Sequence, residues 1–329
     1  MYNIFNKYKS GYLFFIKLII VGAAFYFITL KISDNKTLTN ASFLNRLQEN
    51  ILNSYFILLI IILFTLVNWF LEIIKWKTLV SSFKSINLFE ASKQSLASLT
   101  ASLLTPNRIG EYGAKAIYYP KFERPKILVL NFLGNVSQMM TTIIFGMIGL
   151  FFFKENLSVT YRINSLKWIV FAAISLFIFV SITKKYWMKY WVKLINHIQS
   201  IPNKIHRKNL FISILRYLIF SHQFYFLLMV FGAEINYSTA MPIILTMYFI
   251  SSIIPSFVIF DWIIKGSVAV SLFNLYGINE IIILSITSLM WLLNFALPSV
   301  IGSYFVLTFK SENLILNENK ISLREPVID

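Results

Sequence analysis

The sequence predicts an all-α polytopic membrane protein, with about six full transmembrane helices and two re-entrant helical hairpins in an inverted repeat. Three observations predict it. Hydrophobic residues make up 57% of the 329-residue chain and charged residues only 13%, where a soluble domain carries about 25% charged residues. Apolar runs of spanning length recur at 12–30, 51–71, 127–153, 166–183, 210–231 and 280–309. A pattern of proline, acid and lysine occurs once in each half of the chain: SLLTPNRIGEYGAKA at 102–116 and SSIIPSFVIFDWIIKGS at 251–267.

The first run follows Lys7 and Lys9 as a signal peptide would, but it is long enough to span and no small-residue cleavage site follows it. It reads as a retained anchor. A span needs about 20 apolar residues at a rise of about 1.5 Å each. The run at 280–309 exceeds that, so it is tilted, broken near Pro298, or extends past the bilayer.

Two stretches are too short or too polar to span. Residues 91–105 are small and weakly apolar, Pro106 follows, and a second short limb runs over 107–119. Proline opens helices well, so the two limbs read as a hairpin turning at Pro106, with Gly110 as a second breaker. Residues 240–276 repeat the plan around Pro255. Irregular backbone at membrane depth is tolerated where protein buries it or where it lines a wet cavity. The alternative layout lets both hairpins cross fully, giving eight spans.

Charge placement orients the chain. With the N-terminus in the cytoplasm and both hairpins returning to their own side, 18 Lys/Arg fall in cytoplasmic segments and six in outer loops. That asymmetry is the positive-inside rule, and it accounts for the net charge of +16 without nucleic-acid binding. The protein is expected in the cytoplasmic membrane, with both termini in the cytoplasm. Residues 1–309 form one transmembrane domain with pseudo-repeats at about 10–153 and 166–309, and 310–329 are a short polar tail. Three crossings per repeat place the second half upside down relative to the first, as in many transporters. Residues 184–200 (KKYWMKYWVKLINHIQS) read as an interfacial amphipathic helix on the anionic cytoplasmic leaflet.

The charges inside the apolar regions are the candidate chemistry. Arg108, Glu111 and Lys115 are spaced i, i+3, i+7, on one helical face; Asp261 and Lys265 are spaced i, i+4 in the second hairpin. Intramembrane charges are costly, so they pair or face water. Three positive charges against two negative suit an anionic ligand, and a lipid phosphate is the first candidate. Arg108 and Lys115 would hold it, Lys265 would add a contact from the other hairpin, and Glu111 and Asp261 would orient these cations. The competing reading is that the pairs only neutralise each other.

Candidates for cavity lining are Asn131, Asn135, Gln138, Arg216, His222 and Asn294. The stripe Asn131, Asn135, Gln138 and Thr142, continued by Gly146 and Gly149, reads first as interhelical hydrogen bonding and close packing. His222 could relay protons, though a histidine bonded to a neighbouring helix is the simpler reading.

The chain has no cysteine and three histidines without metal-ligand spacing. No glycine-rich phosphate loop or G-x-S-x-G turn is present. No catalytic residue, metal or cofactor is expected. The expected partners are membrane lipids, anionic ones first, with an envelope-assembly protein as a further candidate.

At SLLTPNRIGEYGAKAIYY (102–119) the chain resembles the transmembrane region of the lysylphosphatidylglycerol synthase family, also called flippase-like integral membrane proteins. Pro106, Arg108, Gly110 and Glu111 stand in that family's Pro-x-Arg-x-Gly-Glu stretch, and the hydropathy plan corresponds over about 10–309. Relatives carry a Pro- and Gly-rich stretch ending in Glu in the second hairpin, where this chain reads PSFVIFD with Asp261 in the acid's place. Asn131 and Asn135 stand where many relatives have charges. The resemblance implies lipid translocation or a related lipid-handling role. In the named synthases a separate cytosolic domain transfers the aminoacyl group, and that transfer is not expected here. The expected function is therefore movement of an anionic phospholipid or polyprenyl-phosphate-linked lipid between leaflets. The alternatives are an enzyme that modifies lipid headgroups, with Glu111 as its base, and a non-transporting subunit of an envelope-assembly complex.

Overall fold

A computed structural model describes residues 54–103, 105, 108–153, 192, 194–254 and 258–309, with isolated positions at 19, 26, 45 and 48. Among these residues the regular elements are helices, without strands. The expected spans at 12–30 and 166–183, the tail, Pro106, Pro255 and most of the amphipathic stretch at 184–200 lie outside the described residues.

The helices are α1 (Tyr55–Val80), α2 (Leu88–Ser102), α3 (Ile109–Ala116), α4 (Arg124–Phe153), α5 (Asn203–Val230), α6 (Tyr237–Ile253), α7 (Val258–Asn274), α8 (Glu280–Trp291) and α9 (Leu297–Leu307). A π-helical turn, Leu292–Ala296, joins α8 to α9. The order is long, short, short, long, and then the same again. α1, α4, α5 and the continuous run Glu280–Leu307 are 26, 30, 28 and 28 residues long and apolar enough to cross a membrane. Each reaches about 39–45 Å, beyond a hydrocarbon core of about 30 Å. α2, α6 and α7 reach only about 22–26 Å, and the eight-residue α3 about 12 Å.

α1, α2 and α8 start where the sequence supplies a side-chain cap. Ser54 accepts from the Ile57 amide at α1, and Asn279 from the Ile281 amide at α8. Asn87 and Glu90 form a reciprocal capping box at α2, at 2.8 and 3.3 Å. Asn87→Ala is expected to cost about 1 kcal/mol, read as a lower unfolding midpoint in detergent.

Large apolar side chains point outward along α1 (Phe56, Leu59, Leu63, Leu66, Phe70) and α4 (Met140, Ile144, Met147, Phe151). In water such patches would be an aggregation hazard; against lipid they cost nothing. Two clusters hold most of the interior packing among the described residues. The larger joins α5, α6, α7 and α8 through Phe224, Leu228, Ile244, Phe273 and Ile283. The smaller joins the end of α1 to α2, α3 and the start of α4 through Trp76, Leu79, Ala91, Ala116 and Leu130.

The packing partners exchange when the two halves are swapped. α1 lies on α5. α4 lies on α6, and α9 on α2. α2–α3 corresponds to α6–α7, α3–α4 to α7–α8, and α1–α2 to α5–α6. The two exchange-related crossings, α4–α6 and α9–α2, are made by glycine. Gly146 and Gly149 face Phe249, Leu245 and the Pro242 carbonyl, and Gly302 faces the Leu96 carbonyl and Thr100. Small residues let helices approach to backbone distance where no apolar driving force separates protein from lipid. Thr100 uses that approach to donate to the Ser299 carbonyl at 2.8 Å.

Three expectations are corrected in detail. The run ending at 71 continues as helix to Val80, so Lys75 is a buried helix residue and not part of a cytoplasmic loop. Arg108 precedes α3 in a left-handed conformation (φ 58°), so it does not share a helical face with Glu111 and Lys115. The limb expected over 107–119 is helical only over Ile109–Ala116, with Gly110 pressed 2.7 Å (as a Cβ would lie) from the Ala101 carbonyl. The long last run stays helical through Pro298, with a π-helical turn, Leu292–Ala296, shortly before it.

Candidate functional site

The long helices bring their polar midpoints together. Asn68, Gln138, Arg216 and Asn294 each sit within about two residues of the centre of α1, α4, α5 and the Glu280–Leu307 run. They are bonded in a chain. Arg216 donates from Nε to Asn68 Oδ1 at 3.0 Å and from Nη1 to Gln138 Oε1 at 3.5 Å. Asn68 donates to Asn294 Oδ1 at 2.8 Å, and Asn294 donates to Gln223 Oε1 at 3.0 Å. Gln223 returns to α1 through Thr65 at 2.9 Å. Beside the π-helical turn, the Asn294 carbonyl accepts from Trp69 Nε1 at 3.1 Å; Pro298, four residues on, has no N–H to offer it. Such turns inside α-helices recur at functional sites.

Two buried charge clusters flank the network. Glu72 Oε2 lies 2.7 Å from both Lys75 Nζ and Arg216 Nη1. Glu111 lies 2.7 Å from Lys115 Nζ and 3.2 Å from Arg108 Nη2. Lys115 also donates to Asn131 at 2.8 Å and stands 4.3 Å above the Trp76 ring. Both acids are buried, and so are both lysines. Glu72 and Lys75 were not among the sequence candidates. The signal that could have found them is the i, i+3 acid–lysine pair directly after an apolar run, which a loop boundary at 71 concealed.

Between the halves lies a cavity of about 690 Å³. Its lining comes from α1 (Asn68, Trp69), the turn before α3 (Arg108), α5 (Arg216, Phe220), α6 (Tyr248, Ser251, Ser252), α7 (Lys265) and the last run (Trp291, Asn294). Among the described lining residues three are basic and none is acidic.

The sequence candidates divide accordingly. Arg108, Lys265, Arg216 and Asn294 line the cavity together. Lys115 and Glu111 do not: they are sealed behind Arg108, because Lys115 is held by Glu111, Asn131 and the Trp76 ring. Asn131 is turned to Lys115, Asn135 to the Tyr112 hydroxyl at 3.1 Å, and Gln138 to Arg216 and the Ser213 carbonyl. These three bridge helices and do not line the cavity, whereas Thr142 of the same stripe does. His222 accepts or donates between the Leu218 carbonyl at 2.7 Å and the Tyr237 hydroxyl at 3.0 Å, tying α5 to α6 away from the cavity. The Asp261 side chain lies outside the described residues.

No group of three or more His, Cys, Asp or Glu able to hold a metal occurs among the described residues. The described lining brings guanidinium and ammonium groups into a partly apolar chamber of low dielectric.

The family described as "Lysylphosphatidylglycerol synthase TM region" matches residues 14–302. No curated protein and no solved structure matches the chain.

Proposed function

We propose that this chain, which belongs to the lysylphosphatidylglycerol synthase transmembrane-region family, is a carrier that moves an anionic lipid between leaflets of the cytoplasmic membrane. The cargo class is a phospholipid or a polyprenyl-phosphate-linked lipid. The observation that carries this reading is the cavity of about 690 Å³ lined by Arg108, Arg216 and Lys265. Its size is that of a small-molecule site, and its basic groups come from both halves.

In this reading Arg108 and Arg216 take the phosphate as fork-shaped donors, and Lys265 closes the site from α7 as a point charge. Glu111 and Lys115 position Arg108 and do not touch the cargo. The four short helices act as two re-entrant hairpins that enter from opposite faces, with both termini in the cytoplasm. Support for the inverted arrangement comes from packing partners that exchange between halves and from glycine crossings at both exchange-related contacts. Alternating access would then rock one half against the other around a central site.

The test is lipid transfer in proteoliposomes loaded with acyl-chain-labelled phosphatidylglycerol, read by quenching of the outer leaflet. Arg108→Gln and Lys265→Gln are each expected to lower the transfer rate at least tenfold without changing the yield of folded protein. Wild-type rates in both variants would remove these residues from the site.

A further inference from the structure

The α1–α5 contact differs in kind from the two glycine crossings. Exchanging the halves carries α4–α6 onto α9–α2 and leaves α1–α5 on itself. The bonds inside α1–α5 follow the same exchange. Gln223 donates to Thr65 at 2.9 Å, and Arg216 pairs with Glu72 at 2.7 Å. Thr65 is as far from Arg216 along the chain as Glu72 is from Gln223, and that interval is close to the one between Pro106 and Pro255. One bond maps onto the other, so the pseudo-two-fold axis passes between them. A contact on the axis is the same seen from either side of the membrane. It persists when inward- and outward-facing forms interconvert, because each form is the other with the roles of the halves exchanged. Contacts off the axis trade places instead.

Chemistry divides the contacts in the same way. On the axis the helices are joined by charge: Glu72 is shared by Lys75 and Arg216, and Arg216 also donates to Asn68 at 3.0 Å. Pulling such a pair apart strands buried charge. Off the axis the surfaces are smooth. Gly149 meets Leu245 and the Pro242 carbonyl, and Gly302 meets the Leu96 carbonyl. With no side chain to interlock, helices touching at glycine can tilt or slide by the small shear motions that packed helices allow. Both glycine-bearing helices are anchored at their middles. Ser137 and Gln138 of α4 bond to Asn209 and Arg216 of α5, and Asn294 of the last run bonds to Asn68 and Gln223. In the last run the π-helical turn Leu292–Ala296 lies at that anchor, and helices bend at such turns. Gly146, Gly149 and Gly302 all lie beyond the anchors, toward the helix C-termini.

We infer that α1 and α5 are the fixed pivot of the carrier, and that the glycine crossings α4–α6 and α2–α9 are its gates, which open in turn. The inference rests on the carrier reading above. In the inverted arrangement α4 and the last run point in opposite directions, so the two gates stand on opposite sides of Asn68 and Arg216. Those two residues line the cavity, and the phosphate would therefore be held at the part of the molecule that moves least. In this structure both crossings are made, as in a form that lies between the two open ones.

The chain has no cysteine, so paired cysteines lock one contact at a time in the full-length protein. Thr100→Cys/Ser299→Cys locks α2–α9, and Thr65→Cys/Gln223→Cys locks the pivot. Gly146→Cys/Phe249→Cys locks α4–α6, with the Phe249 ring removed to make room; Gly149→Cys/Leu245→Cys replaces it if that variant does not fold. Each protein is reconstituted with acyl-chain-labelled phosphatidylglycerol, and transfer is compared between its oxidised and reduced forms. Oxidation is expected to slow transfer at least tenfold in either gate variant, reversed by dithiothreitol, and to leave it within twofold in the pivot variant. Opening in turn has a readout without transport. Gly149→Ala wedges α4–α6, since its Cβ meets Leu245 and the Pro242 carbonyl. It should speed the crosslinking of Thr100→Cys/Ser299→Cys at least threefold and leave the rate of the pivot pair unchanged.

Full transfer with either gate oxidised, or transfer lost with the pivot oxidised, overturns the inference and leaves the carrier reading standing. An unchanged crosslinking rate at α2–α9 under the Gly149→Ala wedge also overturns it, since the gates would then move independently. If wild type and the reduced variants move no lipid, the carrier reading falls, and the coupled crosslinking alone decides whether the two-gate motion stands.

Discussion

Glu72→Ala is expected to destabilise the folded protein by about 3–5 kcal/mol, the cost of stranding buried charges when their shared partner is removed. The reason is local and specific. Glu72 Oε2 is 2.7 Å from both Lys75 and Arg216, and all three lie in the packed region between α1 and α5. Arg216 would keep Asn68 and Gln138, but neither carries charge. Lys75 would face the interior with no acid on its own helix. The measurement is the unfolding midpoint in detergent, alongside Lys84→Ala as a surface control. Lys84 pairs with Glu123 at 3.8 Å while half exposed, and such a contact contributes at most about 1 kcal/mol. A Glu72→Ala midpoint no lower than that of Lys84→Ala would mean that the buried triad is dispensable for stability.

Gly302→Leu is expected to part α9 from α2 and to lower the yield of folded protein severely. A Cβ at 302 would meet the Leu96 carbonyl, which is main chain inside a helix and cannot rotate away, as well as Thr100 Oγ1. Overpacking in a well-packed core costs about 1–3 kcal/mol, and a clash with fixed backbone belongs at or above the upper end. Loss of the close approach would also break the Thr100 bond to the Ser299 carbonyl. Gly113 in α3 supplies the contrast. A Cβ there meets nothing within 4 Å and φ is ordinary, so Gly113→Ala is expected to be neutral or to stabilise by up to about 1 kcal/mol. Comparing midpoints for the two variants checks both; comparable losses would show that helix contact at Gly302 is not what the glycine secures.

The family and the membrane character were legible because both depend on short-range information. Apolar runs of spanning length and the Pro-x-Arg-x-Gly-Glu stretch are read along the chain. The helix pairs of each half were legible too, since Pro106 and Pro255 interrupt otherwise helical sequence. Lys115 was misplaced for a physical reason. Spacing shows that a lysine shares a face with an acid, but not which side of the pair meets the cavity, and here the Trp76 ring and Asn131 of other helices draw it inward. Glu72 and Lys75 were missed because the end of an apolar run was taken as the end of the helix, whereas buried ion pairing lets α1 continue nine residues further to Val80.

By itself, then, the sequence determined that this chain lies in a membrane, which family it belongs to, and that charged residues sit where lipid would forbid them unpaired. Those outcomes follow from local hydropathy, breaker residues and the cost of intramembrane charge. Tertiary structure alone decided which charges meet. Asn68, Gln138, Arg216 and Asn294 lie on four different helices, and the bonds that join them span 78 to 226 positions of the chain. No periodicity carries that information, because contacts between helices depend on crossing points. Here those are set by the glycines at 146, 149 and 302, whose close approaches draw the helices together around the cavity.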